Sequence, residues 1–60
     1  MKIGDIIRVQ YMPDDDWYHG VIITSPDDDP LEVWRMWCFE RQMVHILAPA
    51  RDKIEIISEK

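Results

Sequence analysis

The sequence predicts a single all-β domain, a small barrel of five short strands. Three observations carry that prediction. Runs rich in β-branched and aromatic residues recur at near-regular spacing, with turn residues between them. Within most of these runs apolar residues alternate and do not follow helical intervals. A chain of 60 residues buries only about 60% of its unfolded surface, enough for one thin core.

Ile6-Ile7-Arg8-Val9-Gln10-Tyr11 is the first strand, with Ile7, Val9 and Tyr11 on one face. Pro13-Asp14-Asp15-Asp16 stops it. Trp17 to Thr24 reads as the second strand. Alternation that turns Tyr18, Gly20 and Ile22 inward turns Trp17, His19 and Val21 outward. Gly20, in mid-strand, marks a bulge or a close approach of backbone. Two prolines bracket a charge run in Ser25-Pro26-Asp27-Asp28-Asp29-Pro30, the strongest loop signal in the chain.

Glu32 to Phe39 is the third strand, with Val33, Arg35, Trp37 and Phe39 on one face and Trp34, Met36 and Cys38 on the other. Both faces are mostly apolar, so this strand is central or half covered by a partner. A helix from Leu31 to Leu47 competes, because Glu, Arg, Met and Gln are good helix formers. Apolar residues fall almost everywhere in that window, however, and give no clean helical period. Met43 to Leu47 is the fourth strand, and Ala48-Pro49-Ala50-Arg51-Asp52 is a turn. Lys53-Ile54-Glu55-Ile56-Ile57 is the fifth strand, with Ile54 and Ile56 inward. Its free edge would accept a strand from another chain, although its charges equally blunt it.

Composition narrows the function. Twelve acidic and seven basic residues give a net charge of −5. Phosphate-backbone binding needs clustered Lys and Arg, and here they are scattered, so no direct nucleic-acid ligand is expected. A basic protein, or a protein that itself binds nucleic acid, suits this charge. The lone Cys38 forms no internal disulfide, no paired Cys/His pattern suggests zinc, and a single thiol fits a reducing cytosol. Asp5 and Arg8 interrupt the early isoleucines, so no signal core forms. No run reaches membrane-spanning length, and no membrane association is expected.

Lys2-Ile3-Gly4-Asp5-Ile6-Ile7-Arg8-Val9 resembles the opening of many SH3-like barrels, in which Gly-Asp turns the chain into the first long strand. Asp15-Asp16-Trp17-Tyr18-His19-Gly20-Val21 is similar to the acidic loop, aromatic pair and glycine that follow in that fold, and Ile54-Glu55-Ile56-Ile57 to its closing strand. The order of these parts over nearly the whole chain resembles short barrel proteins of tailed bacteriophages. That resemblance implies an accessory protein in the host cytoplasm that binds a host or virion protein. The Ala-Leu-Tyr-Asp-Tyr and Pro-Ser-Asn-Tyr stretches of signalling SH3 domains are missing, with Leu47-Ala48-Pro49-Ala50 roughly where the second belongs. Polyproline recognition needs an aromatic-lined groove and is not implied.

Asp14, Asp15 and Asp16, with Asp27, Asp28 and Asp29, offer oxygen ligands, but consecutive residues of an extended chain point apart and no calcium-loop pattern accompanies them. They read as solvated turns, and no metal or other cofactor is expected. Were the two loops to converge at one end of the barrel, a weak adventitious cation site would follow. His19, His45, Asp16 and Cys38 supply the types for a Cys-His-Asp set, but no nucleophile motif or oxyanion-hole loop ties them together, so no catalysis is expected.

Tyr11, Trp17, Tyr18, Trp34, Trp37 and Phe39 form the richest signal. Several must fill the core, yet alternation leaves at least one tryptophan partly outside. Trp, Tyr, Met and Arg are the types that anchor protein interfaces. The expected function is a non-catalytic protein-interaction module. Trp17, Trp34 and Trp37 are the anchors, Tyr18 and Met36 their support, and the two Asp runs a charged rim that steers a basic partner. Two alternatives stand: an acidic mimic of nucleic acid with both Asp runs on one face, and a structural homo-oligomer that buries the spare aromatics.

Overall fold

The computed structural model describes residues 1–58, with the side chain of Ser58 outside the description. Five antiparallel strands form one sheet: β1 (Ile6–Gln10), β2 (Tyr18–Thr24), β3 (Trp34–Cys38), β4 (Met43–Leu47) and β5 (Lys53–Ser58). Their order is β4-β3-β2-β1-β5, and a single 3₁₀ turn, Pro26–Asp28, lies between β2 and β3. The expected all-β, five-stranded architecture is present, whereas a barrel is not shown. β4 and β5 pair only with β3 and β1 among the described residues, so the sheet stays open. It is nonetheless curled. The Tyr11 hydroxyl, just beyond β1, lies 2.8 Å from Nδ1 of His45 on β4, across the two intervening strands.

Alternation places the core. Ile7 and Val9 of β1 face inward with Ile22, Met36, Cys38 and Leu47, and all six are buried. Tyr11, Tyr18, Trp34 and Ile54 pack around them. Ile56 lies opposite Ile7 on the same inward row but is partly exposed, being on the edge strand. The helical alternative over 31–47 fails because its apolar residues satisfy two strand faces at once, and β3 and β4 form a hairpin with Trp37 opposite Val44.

Gly20 explains how β2 can lie so close to β3. A Cβ there would meet the Trp37 carbonyl oxygen inside contact distance and Met36 Sδ at 2.9 Å. Of the two roles open to this glycine, close approach is the one found. The bulge sits later on β2, at Ile23, since Ile22 pairs with Met36 and Thr24 with Arg35.

The turns hold themselves with side chains. Gly4 adopts φ 95°, a region open to glycine. Lys2 N–H donates to Asp5 Oδ2 at 2.9 Å, Gly4 N–H to the Ile22 carbonyl at 2.9 Å and Ile22 N–H to the Asp5 carbonyl at 3.0 Å. Together they fix the entry to β1. The Gln10 amide donates to the Asp15 carbonyl at 2.9 Å and so pins the acidic turn before β2. Between β4 and β5, Arg51 and Asp52 N–H groups donate to the Ala48 carbonyl at 2.9 and 2.7 Å, and Asp52 Oδ2 accepts the Ala48 N–H at 3.0 Å.

Candidate functional site

The convex face of the sheet is built by residues that alternate with the core. Cross-strand registry aligns Ile6 with Val21, Val21 with Trp37 and Trp37 with Val44, an apolar row across four strands. Ile46, one step along β4, pairs with Arg35, and Phe39 follows β3. Trp37 is 40% exposed and Phe39 46%, and Val44 and Ile46 are similarly open. Trp37, Phe39, Val44 and Ile46 together offer about 300 Å² of apolar side chain, the size at which a monomer's largest apolar patch is often functional.

Charged pairs flank this row on both sides. On one side Arg8 pairs with Glu55, its Nε donating at 2.7 Å, and its guanidinium lies 4.6 Å from the Trp17 ring centre. His19 sits opposite Arg8, and its Nδ1 lies 2.6 Å from Glu40 Oε2 while its main-chain N–H donates to Oε1 at 2.7 Å. Partial desolvation pushes the Glu40 carboxyl up, but the His19 hydrogen bonds outweigh it and hold the group below its ordinary value. On the other side Arg35 Nε donates to Asp29 Oδ1 at 2.6 Å, and Leu31 N–H donates to Oδ2 at 2.8 Å. The Arg35 hydrogen bond holds the Asp29 carboxyl below its usual range. These charges already have partners, so a surface docking on Trp37 would strand none of them. An apolar centre with a satisfied polar rim is the make-up of protein interfaces.

The five anchor candidates divide between the two faces. Trp37 is the exposed one, and Trp17 shares the convex face, half-buried beneath Arg8. Trp34 and Tyr18 face the core, where Tyr18 sits 6.0 Å from the Tyr11 ring and 6.1 Å from His45. Met36 is wholly buried. Its place opposite Ile22 and His45 makes it a core residue, which corrects its expected role as surface support.

The Asp runs are also repositioned. Asp14, Asp15 and Asp16 precede β2 and Asp27 and Asp28 follow it, so they leave from opposite ends of that strand and do not converge. Asp29 is buried, at 8% exposure, and paired to Arg35, so it drops out of the solvent-facing rim. Among the described residues no group of three His, Cys, Asp or Glu is placed to hold a metal ion. His19 and His45 sit on opposite faces, and Cys38 is buried, 3.8 Å from Glu40 Oε1. Glu40 thus brings His19 and Cys38 to one carboxylate, while His45 lies apart on the concave side with Tyr11.

On the concave side, burial and then the neighbouring charge of Asp52 push the Tyr11 hydroxyl up to about 12. Burial, with Arg41 nearby, lowers the value of His45. Tyr11, Tyr18 and His45 form a tilted aromatic cluster under the curl.

Sequence reasoning did not single out Val44 and Ile46. The signal was in Met43-Val44-His45-Ile46-Leu47, where alternation that buries Leu47 must turn Val44 and Ile46 outward beside Trp37. Among the described residues no helix is long and apolar enough to cross a membrane. Comparison with known proteins finds no family model, no curated protein and no solved structure that matches the chain.

Proposed function

We propose that the chain is a non-catalytic protein-interaction module whose contact surface is the convex face centred on Trp37, carried on an SH3-like barrel left open between β4 and β5. The observation that carries this reading is the apolar row Ile6–Val21–Trp37–Val44, with a tryptophan 40% exposed at its centre and internally paired charges on either side. Tryptophan in such a setting is the residue type most enriched among binding hot spots. The exposed Asp14–Asp16 and Asp27–Asp28 loops steer a basic partner toward it. The resemblance to phage barrel proteins makes that partner a host or virion protein. The acidic-mimic reading asks for both Asp runs on one surface, and loops at opposite ends of β2 do not favour it.

Immobilised wild type, Trp37→Ala and Trp17→Ala proteins, challenged with candidate host lysate, test the proposal. Captured proteins lost on Trp37→Ala and kept on Trp17→Ala support it. Equal capture by wild type and Trp37→Ala overturns it.

A further inference from the structure

The sheet has two free edges, and they differ. β5 carries Lys53 and Glu55, and its register slips at Ile57 as Ile6 pairs with Ser58 and Ile7 with Ile56. Charge and a bulge are the devices that keep an edge from accepting another strand. β4 has neither. Met43-Val44-His45-Ile46-Leu47 contains no Lys, Arg, Asp, Glu or Pro, pairs with β3 without a slip over its whole length, and exposes Met43, Val44 and Ile46.

We propose that β4 pairs antiparallel with β4 of a second copy of this chain, about a twofold axis at His45. A closed dimer of this kind needs a self-complementary patch, and the strand supplies one. In that register Val44 lies against Ile46 of the copy, twice, on the convex face, and Met43 lies against Leu47 of the copy, twice, on the concave face.

The charges at the two ends of β4 are complementary in the same arrangement. Arg41 precedes the Met43 end. At the Leu47 end, where Leu47 pairs with Trp34, lies the loop whose Asp27 and Glu32 line one hollow. Antiparallel pairing sets Arg41 of each copy, now 5.5 Å from its own Tyr18 ring centre and next to Glu40, on the side of the Asp27 and Glu32 loop of the other. The apolar area that Met43, Val44 and Ile46 bring, about 250 Å² per copy, falls short of the roughly 800 Å² per partner of a standard interface. The dimer is therefore weak and concentration-dependent. It leaves both Trp37 side chains uncovered but uses Val44, which also ends the Trp37 row. The dimer is therefore read by sedimentation, and partner capture by Trp37→Ala, a residue outside the dimer contact.

Sedimentation velocity of the full chain, from about 5 to about 500 µM, tests this against that weak affinity. The expected result is a concentration-dependent monomer–dimer equilibrium. Val44→Lys should raise the dissociation constant at least about tenfold, with a far-UV spectrum unchanged because Val44 is exposed. Ile57→Lys, on the other edge, should leave it unaltered. Arg41→Glu should weaken the dimer, and Arg41→Glu with Glu32→Arg should restore it. A monomer throughout overturns the proposal and leaves the edge to a strand from another protein. A dimer insensitive to Val44→Lys, or broken as much by Ile57→Lys, overturns it too. A dimer indifferent to Arg41→Glu refutes the antiparallel register.

Discussion

Replacing Gly20 by alanine tests the packing that holds the two faces in register. The new methyl would point into the concave side, against the Trp37 carbonyl oxygen and 2.9 Å from Met36 Sδ. The Met36 side chain can swing away, but a carbonyl fixed in the β2–β3 ladder cannot, so the two strands must part. Overpacking a fitted core costs about 1–3 kcal/mol, and a backbone obstacle puts this substitution at the upper end. A domain this small holds only about 3–5 kcal/mol in its core. At about 4–8 °C per kcal/mol for a chain of this size, Gly20→Ala should lower the melting temperature by about 12–24 °C. Thermal unfolding followed by far-UV circular dichroism reads it directly, with Val21→Ala, on the other face, as the milder reference. A Gly20→Ala melt within about 3 °C of wild type would refute the close approach of β2 to β3 and the register built on it.

Other outcomes follow from the same contacts. Met36→Ala should cost about 2–5 kcal/mol, as expected of a buried methionine, and denaturant unfolding would show it as a midpoint shift or as loss of the folded baseline. Tyr11→Phe removes the hydroxyl hydrogen-bonded to His45 and should cost about 1 kcal/mol. Since folded Tyr11 keeps its proton up to about 12, against 10.0 ordinarily, its contribution is complete below pH 10 and is lost as pH rises through 12. Absorbance titration should show one late tyrosine, absent from Tyr11→Phe. His45 shifts the other way. Folded His45 takes up its proton at lower pH than the unfolded chain, whose value is 6.5. The unfolded chain therefore binds more protons just below pH 6.5, and stability falls as pH falls through that window. His45→Gln should flatten the slope there, before Glu40 and Asp29, both lowered, begin to be protonated and steepen it again.

The strand pattern was readable because each run repeats a two-residue period. Met43–Leu47 has its predicted bounds, and the other four strands begin or end within two residues of theirs. Alternation also put Ile7 and Val9 on one face, turned Ile22 inward and set Trp34 and Trp37 on opposite faces. It did not say which of the two tryptophans is outside; Trp37 is. Closure was not readable, since it depends on whether β4 meets β5, a long-range pairing that no local run encodes. Met36 shows the limit for single residues. Its type suits a core or an interface equally, and only its neighbours on β2 and β4 decide that it is buried. Asp29 looked like its two neighbours in sequence, but Arg35, six residues on, draws it alone out of solvent. The proposed contact face was half legible: Trp37 was one of three tryptophans singled out by residue type, whereas Val44 and Ile46 join the proposal only because registry sets them beside it.

We propose Trp37 as the anchor of a protein partner on the convex face. Its most direct test is quantitative capture from candidate host lysate on immobilised wild type and Trp37→Ala proteins, each first shown to be folded. At least one protein held specifically by wild type should be lost from Trp37→Ala, because truncating a central hot-spot tryptophan costs about 2 kcal/mol or more of binding energy. Identical capture by the two proteins would contradict it.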